Sequence, residues 1–404
     1  MTSTRSIDAY LSKKPITFNG IQALRCFAAV MVVMVHASQS WGFGTQPEHP
    51  ASYWTSEASR VWINGASGVD IFFVISGFVM AISTLTRTKS KHTARSFMER
   101  RILRVVPLYW MVTALFLAES LAKYLYPGLG AVRPATLGLP YLLASFFFIP
   151  AHNSVGVVGP LLAVGWTLNF EMFFYVLFAI GLWFKTNVSQ FLVPIMVGLS
   201  AIGLFRHDSW PAFTVLASTM LLEFLAGLLL ARYVTRGGTI SMVFAIPAGI
   251  AGALFLLLKH FEQVPDRLRG FVWGIPALLI VLAAVSVEER YGKLWPRFVL
   301  FMGDASYSLY LIHLPVLNAM TRVLRHAHVL QMGRVRVQDE MVTVAVDLAL
   351  SIAVAVVVHL YVENPMTEYL RKNWLHENRK LVQAVPIPIR PAPIYGVLGL
   401  THSK

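Results

Sequence analysis

Long apolar runs separated by short polar connections dominate this chain. A bilayer crossing needs about 20 mostly apolar residues, and ten runs approach that length: 21–39, 68–86, 105–126, 161–184, 189–205, 212–231, 242–258, 270–287, 298–318 and 341–361. The stretch 137–150 is also rich in Leu and Phe, but it is short and ends at Pro150, so it reads as an interfacial or re-entrant helix. There are no heptads, no repeat of fixed period and no low-complexity block. The pattern predicts an all-α, polytopic integral membrane protein of about ten transmembrane helices. It divides into a short N-terminal tail (1–20), one membrane unit (21–363) and a basic, Pro-rich C-terminal tail (364–404).

Composition agrees: 56% of the 404 residues are hydrophobic and 13% charged, against roughly 25% charged in soluble domains. The formal net charge is +14, which by itself would suit nucleic acid. The basic residues lie between apolar runs, however, where they mark cytoplasmic loops, so no nucleic-acid partner is expected. With the N-terminus inside and ten crossings, 22 of the 34 Lys and Arg residues fall on the cytoplasmic side and 10 on the other, which predicts N-in and C-in. Were 137–150 to span, every later element would invert. The first run resembles a signal peptide in position, but Arg25 lies inside it and no small-x-small cleavage site follows closely, so it is expected to stay. The single cysteine, Cys26, excludes an internal disulfide, and the absence of C-x-x-C, H-E-x-x-H or paired Cys/His spacing argues against a metal.

Ionisable side chains inside membrane helices are costly, so each is a functional hypothesis. Arg25 and His36 are 11 residues apart on the first run, which puts them on one helix face with a rise of roughly 16 Å between them. A cation near the inner end and an imidazole near the outer end suit a long anionic ligand with a reactive tip; the plain alternative is an Arg that snorkels and a His that caps the interface. Glu171 stands in an apolar and aromatic run, with Trp166 and Tyr175 close at helical spacing. It is either a desolvated general base or half of an ion pair locking two helices. Asp70 sits near the outer end of the second run, where the helix dipole favours it, and Ser76 and Gly77 read as close-packing residues. On the ninth run Ser306 and His313 share a face and Tyr310 is one turn from His313, while Ser306 and Tyr307 also suit interhelical hydrogen bonding. By the charge-derived topology, His36, Asp70, Glu171 and His313 all fall in the outer half, which predicts one shared polar site. Arg100, Arg101 and Arg104 crowd the loop before the third run, as a phosphate site or a lipid anchor.

Six motifs in order carry a resemblance over nearly the whole chain. They are Ile21-Gln22-Ala23-Leu24-Arg25 with His36 after ten residues, Gly68 through Phe78, Arg100-Arg101-x-x-Arg104, Trp166-Thr-Leu-x-x-Glu171, Ser306-Tyr307-Ser308-Leu309-Tyr310-x-x-His313, and Glu363-Asn364-Pro365. Together they resemble the membrane-bound acyltransferase 3 family, in particular its exopolysaccharide O-acetyltransferases. Cys26 stands where that family usually has a small residue. The resemblance implies transfer of an acyl group, foremost acetyl, from cytoplasmic acetyl-CoA to a hydroxyl of an exported or cell-surface carbohydrate. It implies that Arg100, Arg101 and Arg104 hold the CoA phosphates and that the pantetheine arm follows the Arg25–His36 face. His36 then acts as general base or acyl carrier, with Glu171 orienting its ring, and Asp70, Tyr307 and His313 bind acceptor or relay protons. It also implies a bacterial inner-membrane location, membrane lipid and carbohydrate as partners, contact with polysaccharide assembly machinery, and no metal. Rival readings are a glycolipid transporter or flippase, a structural subunit of an assembly complex, and small-molecule O-acylation at the cytoplasmic face.

Overall fold

The computed structural model describes residues 18–42, 64–85, 94–126, 134–207, 209–258, 264–326 and 337–374. The outer parts of both expected tails and most of the connection 40–67 lie outside these residues. Helices are the regular elements of the described residues, joined by turns and irregular connections, with one isolated bridge between His152 and Val158. In order the helices of eight or more residues are α1 (Asn19–Gly42), α2 (Gly68–Leu85), α3 (Ala94–Leu125), α4 (Leu139–Phe146), α5 (Trp166–Trp183), α6 (Val188–Leu204) and α7 (Leu221–Thr235). They continue as α8 (Met242–Leu258), α9 (Gly274–Tyr291), α10 (Arg297–Asp304), α11 (Ser306–His326), α12 (Val337–Val358) and α13 (Asn364–Trp374).

Among the described residues seven helical segments are long and apolar enough to cross a membrane, and the bent pair α10 and α11 makes an eighth if the two form one span. The remaining two predicted runs form α6 and α8, of 17 residues each. The protein is therefore a multi-pass helical membrane protein, and every predicted run is occupied by helix. Three expectations change in detail. The run 298–318 is not one straight span, because α10 and α11 meet at a 70° bend. The Arg100–Arg104 cluster is not in a loop: it occupies the early turns of α3, which begins at Ala94. The C-terminal segment begins as helix α13 rather than as an irregular tail. The stretch 137–150 holds only α4, eight residues, or about 12 Å at 1.5 Å per residue. That is well short of a hydrocarbon core of about 30 Å. Side chains of α3 tether it, with the Tyr109 hydroxyl donating to Ser145 O at 2.7 Å and Trp110 Nε1 to Phe146 O at 2.8 Å.

Small residues decide how closely the helices approach, since lipid offers no hydrophobic drive to bring them together. A Cβ on Gly77 of α2 would lie 2.0 Å from Phe224 O, and one on Gly227 of α7 would lie 2.0 Å from Val74 O. The two backbones therefore touch through reciprocal glycines. Beside this contact the ring of Phe224 stacks between Phe73 and Phe174, with centroids 4.6 Å apart on each side, and ties α2 and α7 to α5. Helix α1 is the hub, packed against α2, α9, α10, α11 and α12. Its first turn is capped from another helix: the N–H groups of Asn19 and Gly20 donate to the Glu288 carboxylate at 2.8 and 2.7 Å. That satisfies donors which a helix start leaves open.

Candidate active site

The continuous helix α1 keeps Arg25 and His36 on one face, as the spacing requires. Toward its C-terminal end His36 meets His313 of α11, with ring centroids 5.0 Å apart and His313 Nε2 3.4 Å from His36 Nδ1. Each ring also contacts the carbonyl one turn before it: His36 Nδ1 lies 2.8 Å from Val32 O, and His313 Nδ1 lies 3.2 Å from Leu309 O. A carbonyl only accepts, so both Nδ1 atoms carry the proton and both Nε2 atoms carry a lone pair. The His36 N–H then points between Val32 O and His313 Nε2, which leaves His36 Nε2 as the basic atom. His313 is fully buried, whereas His36 is partly open. The ring of Tyr310 lies 6.1 Å from His313, and its hydroxyl donates to Val164 O at 2.9 Å and meets the Thr167 hydroxyl at 2.8 Å.

Glu171 does not share this contact. Among the described residues its carboxylate accepts from Ser76 Oγ at 3.1 Å and from the hydroxyl of Tyr175, one turn further along α5. The place expected for it beside His36 is taken by His313, because α5 turns Glu171 toward α2 and α3. Ser76 is accordingly more than a packing residue. The Arg101 guanidinium lies over Tyr175 and Phe97, 5.6 and 5.5 Å from their centroids, and donates to Ser83 Oγ at 3.1 Å. Arg25 feels the charges of Arg104, Asp304, Glu363 and Glu171, and Arg101 those of Arg104 and Glu171. Arg25, Arg101, Arg104 and Glu171 thus form one charged neighbourhood, displaced from the histidines toward the N-terminal end of α1. Arg100 is half-buried at the adjacent position of α3.

Several members of this neighbourhood are not evident from spacing. Arg25 donates to Gln22 at 3.1 Å, and Gln22 donates to Asp304 at the α10–α11 bend. Ser306 donates to Gly303 O at 2.7 Å across that bend, and Tyr307 donates to Val105 O at 2.7 Å, so both fasten helices. Between α12 and α13 lies a π-helical turn, His359–Glu363, a geometry that recurs at functional sites. Within it Glu363 accepts from Ser308 at 2.6 Å and from His359 Nδ1 at 2.7 Å, while Asn364 donates to His359 Nε2 at 3.1 Å. Glu363 and Asn364 were legible as a motif; His359 was not singled out, although a histidine in an apolar run was the available signal.

Asp70 stands apart from both groups. It is fully buried and paired with Arg269, whose Nη2 and Nε donate at 2.9 and 3.1 Å. The guanidinium is flanked by Trp166 and Trp273, 5.2 and 4.6 Å from the ring centroids. The buried Glu223 of α7 lies against the pair. The one polar site expected from depth is therefore three clusters: the histidine pair, the Arg25–Glu171 neighbourhood and the Asp70–Arg269 pair. Arg269 and Glu223 were missed, the first because it was counted as an outer-loop charge. Among the described residues no group of three or more His, Cys, Asp or Glu side chains could hold a metal ion.

The site thus sets an imidazole and a partly buried guanidinium on one face of α1, an arrangement open to group transfer within the membrane. Family comparison gives the group transferred. The acyltransferase 3 profile, an acyltransferase domain, matches residues 18–360, and the chain belongs to that family. It is an O-acyltransferase. Similar proteins include the exopolysaccharide production protein ExoZ of Rhizobium meliloti, 34% identical over 259 residues, which covers 62% of this chain and 75% of that protein. The acyltransferase MdmB of Streptomyces mycarofaciens is 26% identical over 404 residues, 91% of this chain and 95% of its own. The peptidoglycan O-acetyltransferase OatA of Listeria monocytogenes is 26% identical over 337 residues, 75% of this chain, and this chain spans 50% of that longer protein. No solved structure matches the chain.

Proposed function

We propose that this enzyme moves an acetyl group from acetyl-CoA, bound at the cytoplasmic face, to a hydroxyl of an exported or cell-surface carbohydrate. In this reading it sits in a bacterial inner membrane with both termini inside and ten crossings. Residues 21–363 form the catalytic unit, and membrane lipid and the polysaccharide assembly machinery are its surroundings. The observation that carries the reading is the single helix α1, which joins the Arg25 neighbourhood to the basic Nε2 of His36.

Phosphates of the donor fit the guanidinium groups of Arg25, Arg101 and Arg104, with Arg100 at the entrance. The roughly 16 Å rise from Arg25 to His36 gives the pantetheine arm a path, which Glu171 and Tyr175 flank. At the outer end His36 Nε2 removes the proton of the acceptor hydroxyl as its oxygen bonds to the thioester carbon. The carbon–sulfur bond breaks, and the leaving thiolate takes up a proton to give free CoA and the ester. The imidazolium formed on His36 is held by its Nδ1–H, shared with Val32 O and His313 Nε2, so His313 supplies the orienting contact.

The test is the acetyl content of the surface polysaccharide, by proton NMR, in a deletion strain complemented with wild type or with His36→Ala. Acetyl should vanish on deletion and return only with wild type, since a general base contributes on the order of 10²–10⁴-fold. Full acetylation with His36→Ala would overturn the proposal. Polysaccharide export that falls while acetylation persists would return the protein to the transporter reading.

A further inference from the structure

A cleft of about 540 Å³ opens at the end of the molecule opposite the Arg25 neighbourhood, between the start of α5 and the connections before α5, α7 and α9. This volume is typical of sites for small ligands, roughly 300–1,000 Å³, so the cleft would accommodate a short saccharide segment of a polymer. Its wall carries Trp166 and Phe170 beside Asn169, Asp266, Arg267 and Arg269. Such a mixture of aromatic faces and planar polar groups complements a sugar ring, apolar on its C–H face and rimmed with hydroxyls.

Two independent observations make this a built site. Asn169 is 4% exposed, and its carboxamide oxygen has no hydrogen-bond partner among the described residues, although it borders the cleft. A buried polar atom without a partner costs about 1–3 kcal/mol, a cost that an arriving hydroxyl donor removes. The aromatic wall is also held in place: Arg269, locked by both oxygens of Asp70, lies over the Trp166 ring. The cleft adjoins the chemistry through the next residue, because Thr167 meets the hydroxyl of Tyr310, and Tyr310 lies against His313.

We infer that this cleft receives the acceptor saccharide, with a sugar ring against Trp166 and its hydroxyls on Asn169, Asp266 and Arg267. The inference rests on the carbohydrate-acceptor reading above. It also gives Asp70 a role: it positions Arg269, and through it Trp166.

The experiment uses the full-length protein in lipid nanodiscs, with acetyl-CoA as donor and alkali-deacetylated oligosaccharides of the host's surface polysaccharide as acceptor. Asn169→Ala and Arg267→Ala should each raise the acceptor KM roughly tenfold while leaving the donor KM and the kcat within about twofold. Arg267 is exposed, so its variant tests the cleft even if the Asn169 variant fails to fold. If wild type acetylates the oligosaccharide and Arg267→Ala keeps its acceptor KM, the cleft is not the acceptor site and the proposed function stands. If the donor KM rises instead, the cleft belongs to the donor. If wild type neither binds nor acetylates any saccharide offered, both readings fall together.

Discussion

At the scale of single residues, the exchange of Glu171 for His313 is the most consequential finding. A His36 base needs its other nitrogen held, and the sequence offered a carboxylate on α5 for this; the geometry instead supplies a second imidazole from α11. The two assignments separate kinetically. His313→Gln should lower kcat by up to about 10²-fold through misplacement of the His36 ring, with the KM for acetyl-CoA unchanged. Glu171→Gln, next to Arg101 and Tyr175, should chiefly raise the donor KM. Steady-state kinetics of both variants decide the matter, and a pure kcat loss in Glu171→Gln would restore it as the orienting group. The candidate residues themselves were legible because ionisable groups stand out in apolar helices. Their pairing was not, since the direction in which a helix presents Glu171 depends on rotations that only packing sets. The same rule that singled out Glu171 also applies to Glu223 and His359, which lie in other apolar runs.

At the scale of elements, the reciprocal contact of Gly77 and Gly227 governs how α2 and α7 meet. The obstructing atoms are backbone carbonyl oxygens, which cannot rotate away as a side chain would. Gly77→Val should therefore force the helices apart and displace the Phe73–Phe224–Phe174 stack, lowering Tm and activity together. Thermal unfolding of the detergent-solubilised protein, alongside yield of monodisperse material, checks this, and an unchanged Tm would show that the helices separate without cost. Gly77 as a packing residue was readable from sequence, whereas its partner Gly227 was one small residue among many. The 70° bend between α10 and α11 was hidden because apolar composition is blind to a break. It places Asp304 where Gln22 reaches it, and thus links the bend to Arg25.

At the scale of the whole molecule, the separation of clusters follows the helix ends. The Arg25 neighbourhood lies toward one end, with the histidine pair, the Asp70–Arg269 pair and the cleft toward the other, which suits a donor and an acceptor arriving from opposite faces. Cysteine labelling tests that orientation directly, because Cys26 is the sole native thiol. In a Cys26→Ala background, an impermeant maleimide applied to intact spheroplasts should label Val157→Cys. Lys185→Cys should react only after permeabilisation. The reverse pattern would place the termini outside and the Arg25 neighbourhood at the outer face.

What the amino-acid order determined by itself is everything that depends on composition along one helix: the helical runs, the shared face of Arg25 and His36, and the motifs of the family. These follow from a 1.5 Å rise and 3.6 residues per turn, which need no knowledge of neighbours. Which polar groups touch was decided by tertiary structure alone. His36 meets His313 across 277 residues of sequence, and Asp70 meets Arg269 across 199. Such pairings depend on crossing angles, close glycine contacts and one bent helix pair, none of which is a property of any single segment.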